Sequence, residues 1–169
     1  MLTIQCAKRL AQELNMNVSK EQIADKDPLY SWHAYLFLIN RRKCVLIMNN
    51  KTRYNFVLYG LKKADFMHFS QLVIESIAEN LAADGIDQET IDKYISYCGE
   101  VRYTAASERS IIGQTNEMRF AAEMYIKTDK EDGCETDLFE LNRYLNHFVM
   151  LKLPETYSRE SMIKALKGL

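Results

Sequence analysis

The sequence predicts an α+β fold in one domain spanning residues 1–169: a small, mainly antiparallel sheet with about four to six helices packed on it. Three observations predict it. Between Trp32 and Tyr59, three short runs of apolar, aromatic and β-branched residues are separated by polar turns, which is the pattern of a three-strand meander, with one or two further strands elsewhere. Several later segments carry apolar residues three and four apart, the period of a helix face. The composition is that of a folded chain, 47% hydrophobic and 27% charged with two Pro in 169 residues, long enough to bury a core.

Taken in order, Leu2 and Ile4 alternate with Thr3 and Gln5, as in a short strand. Ala7, Leu10, Ala11 and Leu14 then mark a helix face. Ser19 and Gln22 have capping-box spacing and predict a helical turn. Pro28 pushes Asp27 to an extended backbone, so residues 25–31 read as a loop. The strands of the meander are 32–39, 44–49 and 54–59, with polar turns at 40–43 and 50–53. In the first strand Trp32, Ala34, Leu36 and Leu38 point to one face, and His33, Tyr35, Phe37 and Ile39 to the other. Both faces are largely apolar, which places this strand centrally with cover on both sides.

Phe66, Phe69, Val73, Ile77 and Leu81 then fall at helical spacing, with Gly85 as a stop. Asp87 is placed to cap a helix striped by Ile91, Tyr94 and Ile95 and ended by Gly99. Residues 100–104 read as a strand. Met118, Ala121, Ala122 and Tyr125 form a further helix face, and 128–136 is a polar loop. Asp137, with Glu140 three residues on, opens a helix whose buried side is Leu138, Leu141, Leu145 and Phe148. Residues 151–153 read as a short strand, Pro154 breaks the chain, and 158–169 close it with a last helix.

The totals exclude some classes. A net charge of −1 and a pI near 6.3 give no bulk attraction to nucleic acid or anionic lipid, although a local basic patch is compatible with both. Cys6, Cys44, Cys98 and Cys134 form no CxxC pair, so spacing supports no zinc site. No metal or cofactor is expected. The first ten residues hold no long apolar region, and no run approaches the roughly 20 apolar residues of a membrane helix. The expectation is a cytoplasmic protein with no membrane association and with reduced, mostly buried thiols.

Three places carry candidate chemistry. The segment Ser107–Met118, SERSIIGQTNEM, reads as a loop that opens a helix: Gly113 permits a positive φ, and Thr115 or Asn116 caps. Free N–H groups at a helix start attract anions, and Arg109 adds a bidentate donor. A small anionic ligand would then meet Arg109, Ser110, Gln114, Thr115 and Asn116, with His33 and its neighbour Trp32 as further lining and His33 as a possible general base. The plain structural reading is an Ile111–Ile112 plug with a cap. The glycines needed for a phosphate-binding P-loop or a dinucleotide fingerprint are missing. The second place is the basic hairpin tip Arg41, Arg42 and Lys43, with Lys51 and Arg53 on the next turn and Lys62 and Lys63 after the meander. Such a cluster can touch phosphates while Tyr54 or Tyr59 stacks on bases; its plain reading is a solvated turn with edge lysines. The third is the trio His33, His68 and His147, which shows no metal-ligand spacing and reads first as packing.

Met1–Lys8, Trp32–Asp65 and Arg109–Asn116 together resemble an uncharacterised family of small bacterial proteins, the domain of unknown function 6933 (DUF6933). The family pattern has a first strand like MLTLRCT, a tryptophan-led hairpin with a basic turn, and later RSVLGSMND before a helix. Arg109, Ser110, Gly113 and Asn116 keep their places in it, whereas Gln114 and Thr115 stand where the pattern has Ser and Met. The resemblance implies a bacterial or mobile-element origin and no activity. The leading expectation is a non-enzymatic binding or regulatory protein whose partner is another protein or itself. The alternative is a small enzyme or sensor for a phosphate- or carboxylate-bearing ligand at Arg109–Asn116. A third reading is nucleic-acid binding through Arg41, Arg42, Lys43, Lys51 and Arg53. Whether the chain catalyses a reaction is open at this point.

Overall fold

The structure, a computed structural model, describes residues 1–18 and 27–169. The capping box at Ser19–Gln22 lies outside the described residues. Strand β1 is Leu2–Cys6, followed by helix α1, Lys8–Glu13. A 3-10 turn at Pro28–Tyr30, capped by Asp27 accepting from the N–H of Leu29, leads into the meander: β2 Ser31–Ile39, β3 Arg42–Asn49 and β4 Asn55–Leu61. Helices α2 Lys63–Met67, α3 Phe69–Ala83 and α4 Gln88–Cys98 come next, then β5 Val101–Ala105. Helices α5 Arg109–Glu131, α6 Leu138–Leu145 and α7 Ser158–Lys167 complete the chain.

The fold is α+β with a mixed five-strand sheet in the order β4-β3-β2-β1-β5. The meander pairs antiparallel as expected, but β1 runs parallel to both β2 and β5. Helices crossing over the sheet carry the chain back for those parallel pairings, which a run of local hairpins would not need. The described residues form seven α-helices, more than expected. One reason is that the run after the meander breaks at His68, where the backbone leaves helical geometry (φ −118°, ψ 34°) between α2 and α3. Residues 151–153 form a turn and not a strand; only Val149 and Tyr157 bridge there.

The sheet is covered on both faces, because both sets of alternating side chains are apolar. On one face Leu2, Ile4, Trp32, Ala34, Leu36, Val45, Ile47 and Phe56 pack under α1 to α4 and α7. On the other, Phe37, Ile39, Cys44, Leu46, Met48 and Val57 pack under α5 and α6. Trp32 anchors the first core: its Nε1 donates to the Tyr94 hydroxyl (3.1 Å), which donates to the carbonyl of Leu29 (2.6 Å), while Tyr30 stacks on Tyr94 at 4.8 Å. The caps of α4 and α6 are those expected: Asp87 accepts from the N–H of Thr90, and Asp137 from those of Phe139 and Glu140. Gly85 (φ 84°) ends α3 in the left-handed region that its missing Cβ allows. No described helix is long and apolar enough to cross a membrane.

Candidate functional site

The turn between β2 and β3 is two residues long, Asn40 and Arg41, both at positive φ (50° and 66°). That twist matches the right-handed twist of the flanking strands, so the hairpin closes tightly. It sets Arg41, Arg42 and Lys43 side by side at one end of the sheet. In an antiparallel meander the end of β4 returns to the same place, and Lys43 is paired with Leu61. The register slips between Lys43 and Val45, and Gly60 sits opposite at φ 69°. The chain then turns into α2 with Lys62 and Lys63 at its start, where Asp65 accepts from the Lys62 N–H at 2.7 Å. From the other side the end of α1 brings Gln12 and Glu13.

Between these segments lies a cleft of about 880 Å³, lined also by the buried Phe66 and the exposed Met67. Five cationic side chains line it, Arg41, Arg42, Lys43, Lys62 and Lys63, against one carboxylate, Glu13. Lys43 is tied to Glu13 and lies 5.7 Å from the centre of the Phe66 ring. The Arg42 guanidinium lies 5.8 Å over the Tyr59 ring. Among the described residues no carboxylate pairs with Arg41, Arg42, Lys62 or Lys63. Among the described residues, four positive charges therefore line one concavity without an ion-pair partner, in a chain whose net charge is −1. Phe66 is buried, and Arg42 lies over Tyr59. The cleft thus offers charge and N–H donors more than open stacking faces, a setting for phosphate or carboxylate groups.

The segment Ser107–Met118 is not the expected loop. Helix α5 begins at Arg109, so Thr115 and Asn116 lie inside the helix and cap nothing. Gly113 has ordinary helical backbone, without a positive φ. Ile111, Thr115 and Met118 fall on one face and pack into the second core, and the Thr115 hydroxyl donates to the Ile111 carbonyl at 2.8 Å. That packing extends the helix through a stretch whose local chemistry favours a turn. Arg109, Ser110 and Asn116 are exposed, Gln114 is half-buried and Thr115 is buried, so the helix divides the set between the surface and the second core.

Trp32 and His33 are buried on opposite faces of β2, so they share no site. His33 Nδ1 is 2.8 Å from Asn50 Oδ1, and Asn50 in turn donates to Gln5. Arg53 donates to the Asn50 carbonyl and to Gln114 Oε1. His33 and Gln114 are thus joined through Asn50 and Arg53 in a chain of polar contacts. Burial pulls the Arg53 guanidinium below its ordinary range, and the Glu108 carboxylate opposes that. Lys51 and Arg53 do not join the hairpin tip: β3 separates them from Lys43 by roughly 25 Å, at about 3.3 Å per residue.

Two features were not among the expected sites. One is the contribution of Glu13 to the cleft; Lys62 and Lys63 stand beside the hairpin tip, as the basic cluster read from the sequence includes them. The other is a buried carboxylate, Asp84, with Arg143 Nε at 3.2 Å and Arg159 Nε at 3.4 Å and the Tyr54 hydroxyl donating to it. The thiols offer no activated nucleophile in the cores, since burial pushes Cys6 and Cys98 up to about 12 and raises Cys44.

Comparison with curated proteins gives no match, nor does comparison with solved structures. A family model described as "Domain of unknown function (DUF6933)" matches residues 3–160 and so takes in the sheet, the cleft and the chain up to the first turn of the last helix. The chain belongs to that family.

Proposed function

We propose that this is a binding protein, without a reaction of its own, that holds a phosphate-bearing ligand in the basic cleft at the hairpin tip. The observation that carries the reading is the meeting of five cations with one carboxylate over a hollow of about 880 Å³. Uncompensated like charges repel one another and raise the energy of the empty state. An arriving anion relieves that repulsion and finds guanidinium and ammonium donors already collected. Arg41 and Arg42 suit two-point contact with phosphate oxygens, and Lys62 and Lys63 act as point charges. Buried, protonated thiols and a core histidine engaged by Asn50 fit a protein that works by occupancy.

The test is isothermal titration with inorganic triphosphate as the probe. Saturable binding is expected, weakening as salt is raised. The variant Arg41→Ala/Lys62→Ala removes two exposed charges and is expected to weaken binding by about tenfold or more. Silence at low ionic strength, or an affinity indifferent to the double variant, sinks the reading. A single-stranded oligonucleotide serves as a second probe. If it binds more tightly than triphosphate and with a steeper salt dependence, the ligand is a nucleic-acid backbone.

A further inference from the structure

The two edges of the sheet are treated differently. Helix α6 closes the β4 edge with side-chain amides. Asn146 accepts from the N–H of Asn55 (2.9 Å) and donates to its carbonyl (2.7 Å), and Asn142 accepts from the N–H of Val57 (2.9 Å). At the β5 edge the Leu2 N–H donates to the Glu100 carbonyl (2.8 Å), and the Ala106 N–H to the Cys6 carbonyl (2.9 Å). The even-numbered residues of this segment therefore turn their backbone groups toward β1. Alternation then turns the N–H and C=O groups of Val101, Tyr103 and Ala105 outward. Among the described residues none of these groups has a partner. Beside the edge, between β5 and α3, lies a hollow of about 450 Å³ lined by Ile74, Val101 and Tyr103, with Ser70, Gln71 and Glu75 at its rim.

An open edge is a template for another strand. We propose that β5 pairs antiparallel with β5 of a second copy, joining two five-strand sheets into one across a two-fold axis. The strand VRYTA is complementary to itself. With the axis at Tyr103, Val101 faces Ala105 of the second copy, Arg102 faces Thr104, and Tyr103 faces its own equivalent. The outward backbone groups of each strand then meet those of the other. On the face toward α3 the strand carries Val101, Tyr103 and Ala105, so the pair joins apolar side chains to one another, and the hollow leaves room for them. No like charges stand directly opposite. The two Arg102 side chains lie diagonally across the axis, a mild repulsion that salt screens. An extended segment of a different protein would favour an acid beside Arg102, and its binding would weaken with salt instead. The cleft at the hairpin tip does not include β5, so this inference stands apart from the ligand proposed there.

Sedimentation velocity of the full chain over a wide concentration range tests it. The expected result is a monomer that becomes a dimer as concentration rises, with the dimer strengthened by salt. Arg102→Thr removes the diagonal repulsion and is expected to lower the dissociation constant about two- to fivefold. Ala105→Pro removes an outward N–H without breaking a bond inside the sheet, so the variant is expected to stay monomeric with an unchanged circular dichroism spectrum. Hydrogen exchange on the unaltered chain gives a reading that needs no variant: the amides of Val101, Tyr103 and Ala105 become protected at high concentration and exchange fast on dilution. A monomer at every concentration overturns the inference. So does a dimer that leaves those amides unprotected or survives Ala105→Pro.

Discussion

Asp84 shows how much one residue can hold. It ends α3, its carboxylate receives the Tyr54 hydroxyl from the β3–β4 turn, and it draws in Arg143 from α6 and Arg159 from α7. Arg159 also donates to the Asp84 carbonyl (2.9 Å), and Arg143 to Asn80 Oδ1 (2.6 Å). The Arg143 Nε makes an ion pair without an aligned hydrogen bond. The carboxylate side chain is 1% exposed, whereas the two guanidinium chains are 14% and 29% exposed. Desolvation of the carboxylate is thus compensated twice. Burial first, and then the neighbouring carboxylate, push the Tyr54 phenol well above its ordinary range, which keeps it a donor. Removing the negative charge leaves two guanidinium groups facing a neutral group. Asp84→Asn is therefore expected to cost about 3–5 kcal/mol, read as a lower urea midpoint at an unchanged slope. Its triphosphate affinity, measured while still folded, is expected to stay unchanged, since Asp84 lies outside the cleft. A loss of affinity at full folding would mean that the two places are coupled.

At the scale of the element, α5 is the instructive case. Its N-cap Glu108 makes no side-chain cap bond, and its second turn contains a glycine, so nothing local announces where it starts. Asp87 and Asp137 do announce α4 and α6, because their carboxylates accept from the first free N–H groups. The hairpin was legible for a similar reason, since dense apolar runs flank a polar turn and both constraints are local, although the turn read at 40–43 is only Asn40 and Arg41 and β3 already begins at Arg42. The cleft was legible in its cations, Arg41–Lys43 with Lys62 and Lys63, but not in its limits, because Glu13 arrives through the docking of α1 and the length of β3 carries Lys51 and Arg53 away. The parallel pairings of β1 left no local signal at all. Gly113 now carries a prediction opposite to the one that its type suggests. It has helical backbone, and a Cβ there meets nothing within 4 Å. Gly113→Ala is expected to stabilise the chain by about 0.5–1 kcal/mol, through lower backbone entropy in the unfolded state and better helix propensity. Thermal denaturation checks it: a higher midpoint fits a helix through residue 113, and a lower one fits the turn.

For the whole molecule, one sheet with helices on both faces makes two dry layers, and titratable groups are trapped in them. Cys6, Cys98, Tyr54 and Tyr94 sit in the first core and Cys44 in the second. Burial holds every one of them in its neutral form: Cys6 and Cys98 are pushed up to about 12, Tyr54 and Tyr94 well above the phenol range, and Cys44 in the same direction. In the unfolded chain the thiols titrate near 9.0 and the phenols near 10.0. Below about pH 9 both states keep these protons, and no pH dependence arises from them. Above it the unfolded chain releases protons that the folded chain retains, so stability falls as pH rises, and it goes on falling until the folded values are reached. Each group contributes at most about 1.4 kcal/mol per pH unit, and less where water reaches it. The expected outcome is a urea midpoint that is level from pH 7 to about 9 and then declines, first through the thiols and more steeply from about pH 10 as the phenols join. Cys6→Ala/Cys98→Ala lowers the midpoint at neutral pH by leaving small voids, yet it flattens the first part of that decline. A midpoint that stays level through about pH 11 in the unaltered chain would show that water reaches these side chains, and the two-layer core would have to be redrawn.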